Sequence, residues 1–416
     1  MMASSMLAAS TLAGGVVGVA CAWFGFVVWL QWRRQAHPPG KKGMLEVAKV
    51  ICNPRRVARI SLALAQQLAL LQHWRLWLQW TLFYRQPHSV HIQKELLPDG
   101  CLSTVDHYFV PGCRTTASVL FLYGSGWDAG DKAMYALLGK YFAQQQHFDV
   151  LIPSYNTYPH GCIRVMLKSV LEILLWHHQS LNQPMHVVAH SAGAHIIHTL
   201  ILHIELELLH RQQLPSCCSN DPMRPQYLHP YSTDQLLCAG LQLRSVTGLS
   251  GPYDIDDHFE HERSRGVEWA SVMWRVMGGH QHFPRFSPVK LARHITTLTH
   301  TVAAVGDVDH SKGSGSDNTN HRQPLPPQQQ QQVLLWFLPH IRWTLVHGDK
   351  DYVVPLTSTQ RLARALLPLA GPQKVALHVV DSDHIEIMLA LHDGSSVHCM
   401  QRVREIVSRA HAAPHT

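Results

Sequence analysis

A chain of 416 residues with 46% hydrophobic content is long enough to bury a large core, which excludes a mainly disordered protein. Its formal charge of +7 comes from 35 basic and 28 acidic residues and gathers largely before residue 76. No basic stripe interleaved with aromatics follows, so the charge points to a membrane surface rather than to nucleic acid. Nine cysteines, an odd number without a C-x-x-C pair, exclude a disulfide framework and fit a reducing compartment.

Residues Leu12 to Trp32 are apolar and uncharged, close to the roughly 20 residues a spanning helix needs. Arg33, Arg34, Lys41 and Lys42 follow at once, and no charge precedes Leu12. This predicts a membrane anchor over residues 1–35 with the remainder of the chain on the cytoplasmic side. The rival, a cleaved signal peptide, calls for a basic start and a shorter apolar run. Residues Ile60 to Tyr84 form a second apolar helix, interrupted by Gln66, Gln67, His73, Arg75 and Gln79. Its pattern suits an interfacial amphipathic helix or an ordinary core-covering one within a juxtamembrane region over 36–100. A span there would put the body in the lumen.

From residue 101 strands and helices alternate. Strands are expected at 105–110, 118–123, 148–153, 185–190, 243–249, 342–347 and 375–380, and helices at 163–179, 192–210 and 358–368, among others. The alternation predicts one α/β domain over 101–416 with a doubly wound, mostly parallel sheet. Polar inserts interrupt it near 211–235 and 311–332; the second, rich in Gly, Ser, Asn, Pro and Gln, is expected to be a disordered surface loop.

The chemistry gathers at strand ends. Val187-Val188-Ala189-His190-Ser191-Ala192-Gly193 reads as a strand, a tight turn with serine at its apex, and a helix start. That is the nucleophile elbow G-x-S-x-G, with Ala189 for the first glycine. Ser191 is the expected nucleophile; an N-cap serine is the bland alternative. Asp351 follows a strand within His347-Gly348-Asp349-Lys350-Asp351 and is preferred over Asp349 as the carboxylate that orients the base. His384, in Asp381-Ser382-Asp383-His384, is the expected general acid and base. The order Ser, Asp, His is the one the α/β-hydrolase fold uses. Tyr123-Gly124-Ser125-Gly126-Trp127, after a buried strand, reads as an oxyanion loop, so the N–H groups of Ser125, Gly126 and Ala192 are expected to form the oxyanion hole. Asp131 and Lys132 are expected to pin this loop. His190 and His195 are read as structural. His186, His190, His195 and His198 cluster here, but with no HExxH the clustering reads as composition rather than a metal site.

These motifs resemble the carboxylesterase and lipase branch of the α/β-hydrolases. Three segments narrow the resemblance to the isoprenylcysteine methylesterases. Ser154-Tyr155-Asn156-Thr157-Tyr158-Pro159-His160-Gly161 is similar to their D-Y-R-N-F-P-Q-G segment, and His190-Ser191-Ala192-Gly193-Ala194-His195 to their Q-S-A-G-A-H elbow. The stretch 249–288, with Leu249-Ser250-Gly251-Pro252-Tyr253-Asp254 and Phe283-Pro284-Arg285-Phe286-Ser287-Pro288, is similar to their S-G-x-Y and P-R-F-S-P blocks and falls where such folds carry a helical cap. The resemblance covers roughly residues 105–400. It implies hydrolysis of the methyl ester of a prenylated C-terminal cysteine, without cofactor or metal, by Ser191, Asp351 and His384. The implied setting is the cytoplasmic side of an endomembrane, endoplasmic reticulum or Golgi, with membrane lipid and the prenylated protein as partners. A lipid esterase or arylformamidase on the same fold, and a non-catalytic membrane adaptor, remain the alternatives.

Overall fold

The computed structural model describes residues 104–212, 221–268, 271–308 and 335–411, preceded by short stretches between 52 and 96. The anchor expected over 1–35 and the insert at 311–332 lie outside the described residues. Eight strands form one sheet in the order β1-β2-β4-β3-β5-β6-β7-β8. They are β1 His91–Leu96, β2 Thr104–Phe109, β3 Ser118–Leu122, β4 Asp149–Pro153, β5 Met185–His190, β6 Leu243–Leu249, β7 Arg342–Gly348 and β8 Val375–Val380. The pairs β1–β2 and β2–β4 are antiparallel and the rest are parallel. This is the mostly parallel sheet the alternation predicts.

Strands β3, β4 and β5 are buried at every residue, as strands covered on both faces must be. Helices α2 Ile163–Ser180, α3 Ala192–Arg211, α6 Pro288–Val308 and α7 Leu356–Ala370 contact one another in series over the sheet. Helix α8 Met400–His411 packs on β6 and β7, and α1 Trp74–Arg85 packs on residues 132–140. Among the described residues α3 is the single helix long and apolar enough to cross a membrane, and it is wholly buried in the core. Helix α4 Thr233–Leu241 starts in a capping box in which Ser232 and Gln235 satisfy each other's backbone N–H.

One expectation shifts, and the first insert gains a structure. The sheet begins before residue 101: β1, within the region expected to be helical, pairs with β2 from His91↔Phe109 to Leu96↔Thr104. The described part of the first insert, from Asp221, is ordered. Asp221 is buried against His210 at 3.0 Å and His294 at 2.7 Å, and Arg224 meets Glu207 at 3.0 Å. Polar composition there supplies ion pairs to the end of α3.

Helix α1 divides its faces. Leu76, Phe83 and Tyr84 pack on the core, while Trp74, Leu78 and Leu82, spaced four apart, are 56%, 52% and 58% exposed. The 249–288 stretch builds a cap: α5 Ile255–Arg265, a short helix Met273–Val276 and a 3₁₀ segment His280–Phe286. Hydroxyls hold its base, Ser358 to the body and Ser287 across the two ends of the stretch. Ser358 Oγ accepts from Tyr253 N at 2.7 Å and Asp254 N at 3.1 Å, and Ser287 Oγ accepts from Ile255 N at 3.0 Å.

Candidate active site

Ser191 stands between β5 and α3 with φ 51° and ψ −121°, a conformation that lifts its side chain out of the helix. Its N–H donates to Leu249 O at 2.9 Å, which fixes the turn to the next strand. No side-chain capping bond forms at this helix start. Instead Ser191 Oγ lies 3.0 Å from His384 Nε2, and His384 Nδ1 lies 2.7 Å from Asp351 Oδ2. The three residues the sequence singled out therefore form one hydrogen-bonded series, drawn together from the ends of β5, β7 and β8.

The Asp351 side chain is fully buried. Its Oδ1 accepts the N–H groups of Val353 and Val354, each at 2.9 Å, which leaves Oδ2 for His384. Burial alone pushes this carboxyl up. The His384 charge and hydrogen bond, with His347 and the Val354 N–H, outweigh burial and hold it below its ordinary value. It stays an anion able to fix the imidazole tautomer. Asp349, the competitor, instead accepts from Ser382 N at 3.2 Å and holds the loop after β8. Asp383 accepts from Ile385 N and Glu386 N, both at 2.8 Å, and so caps the short helix Glu386–Leu389.

The loop after β3 lies against the nucleophile. A Cβ on Gly124 would sit 2.6 Å from Ser191 Cβ, so only glycine permits this approach. Two residues past the serine, a Cβ on Gly193 would meet the Leu122 and Tyr123 carbonyls at 2.3 and 2.5 Å. Ser125, Gly126 and Trp127 all have positive φ, of 151°, 61° and 63°. Ser125 Oγ donates to the Ala129 carbonyl. Tyr155 OH donates to Tyr123 O at 2.6 Å, and Trp127 Nε1 donates to His195 Nδ1 at 3.3 Å. Asp131 caps the next turn through Ala133 N at 2.8 Å, and Lys132 bonds Asp106 at 2.7 Å inside the body. Ala192 N opens α3, where first-turn N–H groups have no intrahelical partner.

The histidines around the elbow do positional work. His190 Nε2 donates to the His384 carbonyl at 2.8 Å, and the two rings lie 4.8 Å apart. Burial, then the His384 charge, lowers His190 to about 3, so it remains neutral. His347 Nε2 donates to Val354 O at 3.0 Å and bridges the Asp351 turn. His195 Nε2 donates to Phe286 O at 2.6 Å, which ties α3 to the cap. Sequence reasoning treated His190 and His195 as structural but could not show what they hold, and it missed His347 as a brace. The one signal was their place beside the elbow and in H-G-x-x-D. Among the described residues no group of three or more His, Cys, Asp or Glu side chains is arranged to hold a metal.

The sheet order, the strained serine turn after β5 and the residues after β7 and β8 define an α/β-hydrolase fold of the esterase type. The structure is similar to that of esterase B from Lactobacillus rhamnosis, with a TM-score of 0.50 and 13% identity over 86% of this chain and 96% of that one. By sequence the chain is similar to isoprenylcysteine methylesterase-like proteins. It is 24% identical over 303 residues to a rice (Oryza sativa subsp. japonica) protein described as "Probable isoprenylcysteine alpha-carbonyl methylesterase ICME", covering 71% of this chain and 57% of that protein. It is 23% identical over 268 residues to "Probable isoprenylcysteine alpha-carbonyl methylesterase ICMEL1" of Arabidopsis thaliana, covering 62% and 44%. The chain thus spans about half the length of the curated relatives it matches. No family model matches it.

Proposed function

We propose that this protein is a membrane-anchored serine carboxylesterase that hydrolyses the methyl ester of a prenylated cysteine. The observation that carries the reading is the series Ser191 Oγ, His384 Nε2, His384 Nδ1, Asp351 Oδ2, with bonds of 3.0 and 2.7 Å. In this reading His384 takes the Ser191 proton as Oγ attacks the ester carbonyl. The Ser125, Gly126 and Ala192 N–H groups stabilise the tetrahedral oxyanion. Its collapse expels methoxide, which takes the proton from His384 and leaves as methanol. Water, deprotonated by the same imidazole, then attacks the acyl-enzyme and releases prenylcysteine carboxylate and free Ser191.

The names of the sequence relatives support the prenylated substrate. The uncharged run Leu12–Trp32 with its basic flank, and the exposed stripe Trp74, Leu78, Leu82 beside Arg75 and Arg85, support the membrane setting. An ester that partitions into lipid is then met in two dimensions, with the body on the cytoplasmic side of an endomembrane. A fluorophosphonate probe tests the nucleophile: peptide mapping should place the adduct on Ser191, and an unlabelled Ser191 would favour a non-catalytic adaptor. Comparing prenylcysteine methyl esters with short acyl esters and N-formylkynurenine separates this substrate from a lipid esterase or an arylformamidase.

A further inference from the structure

Helix α5 has two working faces. His258, His261 and Arg265 turn toward the residues of the site: His261 Nε2 donates to Tyr352 O at 2.9 Å, the Arg265 guanidinium lies 5.3 Å from the Tyr352 ring, and the His258 ring lies 6.3 Å from Trp127. On the opposite face, at the 3.6-residue period, Asp256, Phe259, Glu260 and Arg263 line a separate cavity of about 730 Å³ between α5 and the 274–283 segment. The width of a helix, about 10 Å, therefore separates this cavity from the triad.

Its floor is aromatic. The His280 ring sits 4.4 Å from Phe259 and 4.9 Å from Phe283, and it is parallel to Trp274 within 7° at 6.3 Å. Its charges are unevenly paired. Asp256 is bound by Lys290, and Glu260 meets Arg263 at 3.4 Å on the exposed rim. Glu268 also lines the cavity, and its Oε2 is buried with no hydrogen-bond partner among the described residues. A carboxylate oxygen turned from water accepts from any donor that reaches it, and a ligand that brings an N–H would supply the missing partner. The Arg275 guanidinium stacks 4.7 Å from the Trp274 ring, so this ring already engages a planar cation.

We propose that this cavity is a second binding site, one that takes an organic cation: the guanidinium or ammonium of an arginine or lysine side chain, seated on the aromatic floor and bonded to Glu268. Rings supply the cation–π surface and the buried oxygen supplies the acceptor. The site does not depend on the ester reading, because it shares no residue with the triad.

The test uses the full chain in detergent and a fluorescein-labelled Gly-Gly-Arg-Gly-Gly peptide, read by fluorescence polarisation against its citrulline twin, a neutral isostere. The arginine peptide should bind about tenfold or more tightly than the citrulline peptide, as one buried charged hydrogen bond with cation–π support predicts. Glu268→Gln should remove that preference, Phe259→Leu should reduce it several-fold, and Ser191→Ala should leave it intact, all with melting temperatures near wild type. Competition by methylguanidinium at similar strength would identify a free small cation as the ligand; competition by peptide alone would identify a peptide-borne side chain. Equal binding of the arginine and citrulline peptides, or an undiminished preference in folded Glu268→Gln, would overturn the proposal.

Discussion

A backbone at φ 51° and ψ −121° is strained for any residue with a Cβ, at a cost of about 1–3 kcal/mol, and Ser191 holds it because its neighbours leave no alternative. Gly124 and Gly193 let two chain segments close on it, and Leu249 O binds its N–H. The roles of the acidic partners follow from equally local bonds. With Oδ1 of Asp351 saturated by two N–H groups, Oδ2 is committed to His384. Asp351→Asn should therefore lower kcat for an ester about 10³–10⁴-fold with KM and melting temperature nearly unchanged, since the wrong imidazole tautomer is then favoured. His190 acts through the His384 carbonyl. His190→Leu should lower kcat about tenfold at constant KM, a loss of one buried hydrogen bond of about 1.4 kcal/mol, and His190→Gln should restore most of it by donating to the same carbonyl. Steady-state kinetics on a soluble ester checks both. The serine, aspartate and histidine were legible because each ends a strand in the chain order this fold demands. The bracing histidines were not, because a buried histidine bonded to a carbonyl leaves no spacing pattern.

At the scale of elements, legibility followed burial. Strands β3, β5 and β7 announce themselves as apolar β-rich runs because parallel strands are covered on both faces. Strand β1, His-Ile-Gln-Lys-Glu-Leu, is an edge strand with mostly exposed side chains, and the charges that protect an edge also hide it. Helix α3, expected over 192–210 and found at Ala192–Arg211, was legible in spite of its burial. It is buried all round, so the usual one-sided period is missing, and its polar residues are paired internally: Glu205 accepts Trp336 N at 2.6 Å, and Glu207 binds Arg211 and Arg224. Helix α1 carries the prediction here. Replacing Leu78 or Leu82 with Glu puts a charge on the more exposed face of this helix, where the two side chains are 52% and 58% exposed. Each change should weaken turnover of a vesicle-embedded prenylcysteine ester about tenfold or more, the loss of roughly 1.5–3 kcal/mol of apolar burial in lipid. Turnover of p-nitrophenyl acetate should not change. An equal loss on both esters would mean that the stripe serves the fold rather than a lipid surface.

For the whole molecule, the 32 histidines set the response to acid. Burial lowers His186, His195, His198 and His203 to about 4, from an ordinary value of 6.5. Between these values the unfolded chain binds protons that the folded chain refuses, so stability rises with pH there and is lost as pH falls from about 6.5 toward 4. Glu205 opposes this: burial raises it to about 7 despite its backbone N–H partners, so the folded chain binds the extra proton between about 4.5 and 7. His190, His258 and His392, lowered by burial to about 3, act in the same sense as these four, so seven groups against one leave a net gain with rising pH. The melting temperature should climb from pH 4.5 to pH 6.5, and a flat or falling profile would show that the buried histidines are not held neutral.

The most direct measurement is hydrolysis of a farnesylcysteine methyl ester by the detergent-solubilised full chain, wild type beside Ser191→Ala, with p-nitrophenyl acetate in parallel. The account predicts turnover of the prenylated ester that vanishes in the mutant, because the 3.0 Å contact from Ser191 Oγ to His384 Nε2 is the start of the chemistry. Undiminished turnover in Ser191→Ala, or serine-dependent turnover of the small ester alone, would contradict it.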